Sequence, residues 1–135
     1  VVKLLLDSNA LLWALRSPEK LGPLARRRIE LAPKLWFSAA SIFELTFKSQ
    51  KLGRNGKPAL RLSQGFASAV IEAGFEEIPV RSEHEESASS FLNYEPGDPI
   101  DRMILAQAIH EDAILLTSDD RMLALNHDWI VDAQV

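Results

Sequence analysis

The feature that most narrows the possible folds lies at the start of the chain. Val1-Val2-Lys3-Leu4-Leu5-Leu6 is a nearly unbroken apolar run that stops on an acid, Asp7. A strand with one wet face alternates apolar and polar residues, whereas a run without alternation suits a central strand covered on both faces, as in a parallel sheet. Four further short segments fit strands, so the strand candidates end at Asp7, Ser38, Val80, Leu116 and Val131. The last of these reads as an edge strand.

The intervening segments carry helical patterns. Residues 8–15 place Leu11, Leu12 and Leu15 at helical spacing, with Ser8 as a cap and Ser17-Pro18 as a break. Further helices are expected over 21–32, over 39–52 before Gly53, over 60–73 before Gly74, and over 82–92 behind a Ser82 cap. Asp98 caps a helix opened by Pro99 and running to about 111, and a short helix follows Asp119. Residues 55–58 read as an exposed turn and 93–99 as a loop. Strands alternating with helices, without a hairpin signal, predict a three-layer α/β/α domain. Its sheet of about five strands is mainly parallel, and residues 1–135 form one domain.

Composition removes several classes of function. The 135 residues contain no cysteine, which excludes disulfides, zinc–thiolate sites and cysteine nucleophiles. No apolar run is long enough to cross a bilayer, and no hydrophobic leader precedes Asp7, so a soluble cytoplasmic protein without membrane contact is expected. The net charge of −4 gives no global attraction to nucleic acid. Charge is unevenly spread, however. Lys48, Lys51, Arg54, Lys57 and Arg61 form a basic stretch free of acids, while six glutamates face one arginine between Glu72 and Glu86. Screening confines each charge to about 8–10 Å, so the basic stretch can act locally, although on charge alone a solvated loop and helix face is the better explanation.

The acids fall where open parallel sheets bind ligands, beyond the carboxyl ends of the strands. Asp7 closes the first strand, and Asp119 follows the fourth through Thr117 and Ser118. Glu44 lies about one and a half turns into the helix after the second strand, and Asp101 in the first turn of the helix before the fourth. Carboxylates with waters suit Mg²⁺ and phosphodiester hydrolysis. Two carboxylates about 4 Å apart repel by roughly 4 kcal/mol at an effective dielectric near 20, so a converging set requires a cation. Structural roles also exist: Asp98, Asp119 or Asp120 as helix caps, and Glu44 paired with Lys48 one turn on. Asp7 is the hardest to explain structurally, because Ser8 is available to cap.

Together these segments resemble the PIN-domain family, most closely the VapC-type toxins of bacterial toxin–antitoxin pairs. The resemblance rests on four ordered motifs: residues 4–13 with Asp7, 38–45 with Glu44, 98–108 with Asp101, and 115–119 with Asp119. It implies a Mg²⁺- or Mn²⁺-dependent endoribonuclease with RNA as substrate, a homodimer, and a cognate VapB-type antitoxin. Asp7, Glu44, Asp101 and Asp119 would hold the metal, and Ser8, Asn9, Asp98 and Thr117 would support them. Asn9 stands where many members of the closest subgroup carry histidine, which touches metal-site detail or substrate choice. Lys48, Lys51 and Arg54 could bind RNA phosphates; Arg102 fits that role or a surface ion pair equally. Trp13 and Phe43 are expected as core or interface anchors, and His84, His110 and His127 receive no role.

Two other classes compete. A receiver or aspartate phosphatase also ends its first strand on an aspartate, but would want a lysine after the last strand or a second aspartate at position 9, where Asp132 and Asn9 stand. A catalytically weak RNA- or protein-binding module would show broken acids, and all four motif acids are intact.

Overall fold

The computed structural model describes residues 2–58, 60–88 and 98–135. Five strands, β1 (Lys3–Leu6), β2 (Lys34–Ser38), β3 (Phe75–Ile78), β4 (Ile114–Thr117) and β5 (Ile130–Asp132), form one sheet in the order β3-β2-β1-β4-β5. Every pairing is parallel, with Leu5 opposite Trp36 on one side and Leu115 on the other. The apolar opening run is thus the centre of the sheet, and β5 is an edge strand.

The helices are α1 (Ser8–Arg16), α2 (Pro23–Leu31), α3 (Ala39–Gln50), α4 (Phe66–Glu72), α5 (Ser82–Ala88), α6 (Pro99–His110) and α7 (Asp120–Leu123), with a 3-10 turn at Pro18–Lys20. They divide between the two faces. Leu4, Leu6, Phe37 and Leu116 pack with Ala10, Leu11, Ala25, Leu45 and Val70 from α1 to α4. Leu5, Trp36 and Leu115 turn the other way onto Ile104, Leu105 and Ala108 of α6 and Met122 of α7. Strand side chains alternate in direction, so Leu4-Leu5-Leu6 must be apolar throughout when both faces are covered.

Three boundaries differ from the sequence reading for local reasons. The helix expected over 60–73 begins only at Phe66, because Gly65 sits at φ +81, a left-handed conformation that a helix cannot continue through. Gly74, at φ +103, ends it as expected. Ser8 is not the cap of α1: that position belongs to Asp7, whose side chain accepts from the Ala10 N–H. Nor does Ser82 cap α5. It is the first helical residue, and the Arg81 N–H before it is bound by the imidazole of His84 at 3.0 Å. The expected end of α5 near 92 and most of the 93–99 loop lie outside the described residues.

The strand order reverses between β1 and β4, which are neighbours although two β-strands intervene in the chain. Ligands of open parallel sheets bind at the carboxyl edge of such a switch point. Asp7 and Asp119 leave the sheet on either side of it.

Candidate metal-binding site

Five carboxylates meet at that edge. Asp7, Glu44, Asp98, Asp101 and Asp119 line one cavity of about 110 Å³, together with Ser8, Asn9, Lys48 and Arg121. α3 carries Glu44 and Lys48 on one face and packs against both α1 and α6, which brings Glu44 to Asp101. Carboxylate oxygens of Glu44, Asp98 and Asp101 lie within 4.8 Å of one another.

Three of the five acids are helix N-caps. Asp7 Oδ1 accepts from Ala10 N–H at 2.9 Å, Asp98 Oδ1 from Ile100 and Asp101 N–H at 2.9 and 3.0 Å, and Asp119 Oδ1 from Arg121 and Met122 N–H at 2.8 and 3.2 Å. Capping satisfies amides that a helix start leaves open, and the dipoles of α1 and α6 favour negative charge there. One oxygen of each acid is thereby fixed by the backbone, which orients the other. Thr117 links two of the acids: its hydroxyl accepts from the Asp119 N–H at 3.0 Å and donates to Asp7 Oδ2 at 2.5 Å.

The electrostatics are those of crowded, buried acids. Burial pushes the Asp7 carboxyl up to about 6, against the lowering effect of the Thr117 and Ala10 hydrogen bonds and with help from Asp119 and Glu44. Asp101 is pushed up to about 7, first by burial and then by Asp98, Asp119, Glu44 and Asp7. The Ser8 hydroxyl is buried at the cavity wall without a hydrogen-bond partner. All-oxygen donors, one orphaned hydroxyl and two acids that cannot easily ionise together fit a hard divalent cation such as Mg²⁺ or Mn²⁺.

Other sequence candidates scatter. Lys48 reaches the cavity, but its expected ion pair with Glu44 is absent among the described residues. Lys51 lies over the Phe47 ring at 4.8 Å, Arg54 sits in the exposed turn, and Arg102 is half-buried in α6; none of them lines the cavity. Ser8, expected to orient a carboxylate, makes no such bond. Trp13 packs against the core, while Phe43 is not a core residue: it is 66% exposed and stacks on Phe47. Asp120 is exposed and does not line the cavity, while Asp98, read as a cap, is both cap and wall. Arg121 was missed, although it follows Asp119 by only two positions.

A second group of ligand-type side chains went unread because its histidines are far apart in sequence. Glu83, His84 and His110 offer ligand atoms within 4.8 Å of one another. His84 is buried, its ring edge-on to His110 at 5.0 Å between centroids, and His110 Nε2 lies 3.5 Å from Glu83 Oε1. Because the Arg81 N–H points at His84 Nδ1, that nitrogen must accept and the ring proton sits on Nε2. The Nδ1 atom is thus spent on a helix start, while Nε2 is buried without a hydrogen-bond partner among the described residues. Burial, then His110, holds its pKa below the ordinary value.

An acidic pocket at the switch point of a five-stranded parallel sheet defines a class that comparison with known proteins makes specific. The sequence profile of the PIN domain matches residues 4–127. Ribonuclease VapC22 of Mycobacterium tuberculosis is 35% identical over 124 residues, covering 91% of this chain and 92% of that protein. The chain therefore belongs to the PIN-domain family and is a homologue of a VapC-type ribonuclease. Its fold recurs in a toxin–antitoxin complex from Klebsiella pneumoniae, at 16% identity with 96% of each chain covered and a TM-score of 0.65. It recurs also in VapC20 of Mycobacterium tuberculosis, a sarcin–ricin-loop-cleaving toxin, at 16% identity with 95% and 98% covered and a TM-score of 0.57. Among the described residues no helix is long and apolar enough to cross a membrane.

Proposed function

We propose that the protein is a divalent-cation-dependent endoribonuclease, the toxin half of a toxin–antitoxin pair, with Asp7, Glu44, Asp101 and Asp119 as its metal-holding acids and Asp98 beside them. The observation that carries this reading is the convergence of five carboxylates around one small cavity in a homologue of a ribonuclease. The reading takes residues 1–135 as one nuclease unit. A cognate antitoxin and a second copy of the chain are its expected partners, and exposed Phe43 and Phe47 supply apolar surface for such contacts.

Bound Mg²⁺ or Mn²⁺ would polarise the phosphodiester and lower the pKa of an attacking water. The chain's own residues prepare for that cation. Thr117 and the Ala10 amide hold Asp7 as an acceptor, and the Asp98 cap fixes the start of α6, and with it Asp101. Burial, and then its acidic neighbours, push the Asp101 carboxyl up to about 7, so a bound cation would favour its ionised form. Lys48 offers a cation to RNA phosphate at the cavity wall.

The test is cleavage of an RNA substrate by wild type and Asp7→Asn in Mg²⁺ or Mn²⁺, with and without chelator. Activity should vanish on chelation and fall steeply in the variant. Cleavage that survives both would overturn the metal-site reading.

A further inference from the structure

We infer that Arg121 is the chain's own clamp for the RNA phosphate beside the acidic cavity, exchanging its contact with Asp119 for a phosphate oxygen when substrate arrives. The inference rests on the ribonuclease reading and goes beyond it by naming a substrate-binding residue.

Among the described residues, the cavity wall carries five carboxylates and two cations, Lys48 from α3 and Arg121 from α7. A polyanion approaching a chain of net charge −4 needs positive charge at the point of contact. Lys48 and Arg121 are the cations placed there. Arg121 suits the task better, because a guanidinium fork matches phosphate oxygens in two parallel hydrogen bonds.

Its present contact is loose. Arg121 Nη2 lies 3.7 Å from Asp119 Oδ2, longer than a hydrogen bond, and the arginine side chain is 56% exposed. Exposed pairs of this kind contribute little to stability, so releasing it is cheap. The backbone keeps what matters when the side chain leaves: Arg121 N–H still donates to Asp119 Oδ1 at 2.8 Å, holding the acid in place. Backbone and side chain of one residue thus serve separate ends, the first fixing a metal-holding acid and the second remaining free to turn. A cation arriving at Asp119 also competes with the guanidinium for Oδ2, which couples metal loading to release of the clamp.

The experiment measures binding of a short single-stranded RNA in the inactive Asp7→Asn background, and of Mn²⁺ with all four acids intact. It compares Arg121, Arg121→Ala, Arg121→Lys and, as a control, Arg26→Ala on the exposed face of α2. Arg121→Ala should weaken RNA binding roughly 10-fold and reduce the slope of log affinity against log salt by about 0.7, the value for one lost phosphate contact on a single strand. Mn²⁺ affinity should be unchanged or tighter, and Arg121→Lys should keep the salt slope while losing part of the affinity. In the active background the loss should fall mainly on KM. Unchanged RNA affinity and slope in Arg121→Ala, or the same loss in Arg26→Ala, would overturn the clamp. Weaker Mn²⁺ binding with intact RNA binding would make Arg121 a support of Asp119 and overturn it too. If RNA with four intact acids is neither bound nor cut, the ribonuclease reading falls first and the clamp with it.

Discussion

Among the described residues, ligand-type side chains gather in two places, and the two gatherings differ in how far their charges balance. At the carboxyl edge of the sheet, five acids of one sign face a common cavity, and burial with mutual repulsion pushes two of them up to about 6 and 7. At the α5–α6 contact, Glu83, His84 and His110 also stand close, but one carboxylate sits with two imidazoles and His84 spends its acceptor nitrogen on the Arg81 amide, leaving Nε2 unpartnered. Spacing alone would call both metal sites. The unbalanced set needs something from outside, whereas the balanced set fastens a helix. Proximity of donors is therefore a weaker sign of a ligand than an excess of like charge that the protein does not balance internally.

The sharpest way to break this comparison is substitution at the unbalanced site. Asp7→Asn and Asp101→Asn should each lower RNA cleavage by on the order of 100-fold or more, since losing even a support of a metal ligand costs about 10- to 100-fold. In chelator at pH 8, however, Asp101→Asn should be more stable than wild type by on the order of 1 kcal/mol, read in urea, because a repelled and half-buried charge is gone. A metal site whose loss stabilises the empty protein is what the comparison predicts; a destabilised Asp101→Asn would count against it.

The second prediction concerns pH. The folded-state pKa of Asp7 lies above its unfolded value, so the native chain binds the extra proton and its stabilising effect is complete below about pH 4. It is lost as pH rises towards 6, and Asp101 extends the loss towards 7. For Asp7 the change amounts to about 3 kcal/mol. Urea titrations in chelator should show stability falling across that window, and Mg²⁺ should offset part of the fall, adding about 2.7 kcal/mol at a hundredfold over its Kd.

His84 should behave in the opposite sense. Its pKa is lowered, so its contribution is present above about 6.5 and is lost as pH falls and the ring charges. His84→Ala should cost about 2 kcal/mol through a cavity and a lost cap, leave cleavage per folded molecule unchanged, and erase the acid-side part of the pH profile. A rise in Tm on adding Zn²⁺ to wild type but not to His84→Ala would refute the view of this cluster as a cap. The smallest effect is expected at Thr117→Val. Loss of the hydroxyl that joins Asp7 to the Asp119 amide should cost about 1 kcal/mol in stability and about 10-fold in cleavage rate.

Much of this was legible because its signals are local. A run such as Leu4-Leu5-Leu6 allows few folds, and Asp98-Pro99 announces a helix start in two residues. The four motif acids could be named from order and resemblance, yet their convergence depends on α3 packing against α1 and α6, which no local pattern reports. Gly65 hid the late start of α4, since a left-handed residue inside an apolar pattern looks like a tolerated glycine. The reading of Asp7 as an acid without a capping duty failed for a related reason. Ser8 satisfies the same residue preference one position along, and only backbone geometry distinguishes the two. His84 and Arg121 depend on partners whose identity the sequence does not advertise.

The shared duty of the capping acids bears on how silent versions of this protein should be built. Alanine at Asp7, Asp98 or Asp119 removes a charge and unties a helix start in the same stroke, so a weak phenotype from such a variant could reflect poor folding rather than lost chemistry. Asparagine keeps an oxygen for the amides and discards the charge, although at Asp7 its NH2 group would also replace the oxygen that accepts from Thr117. A tool protein intended to bind an inhibitor or RNA without cutting should carry amides at these positions.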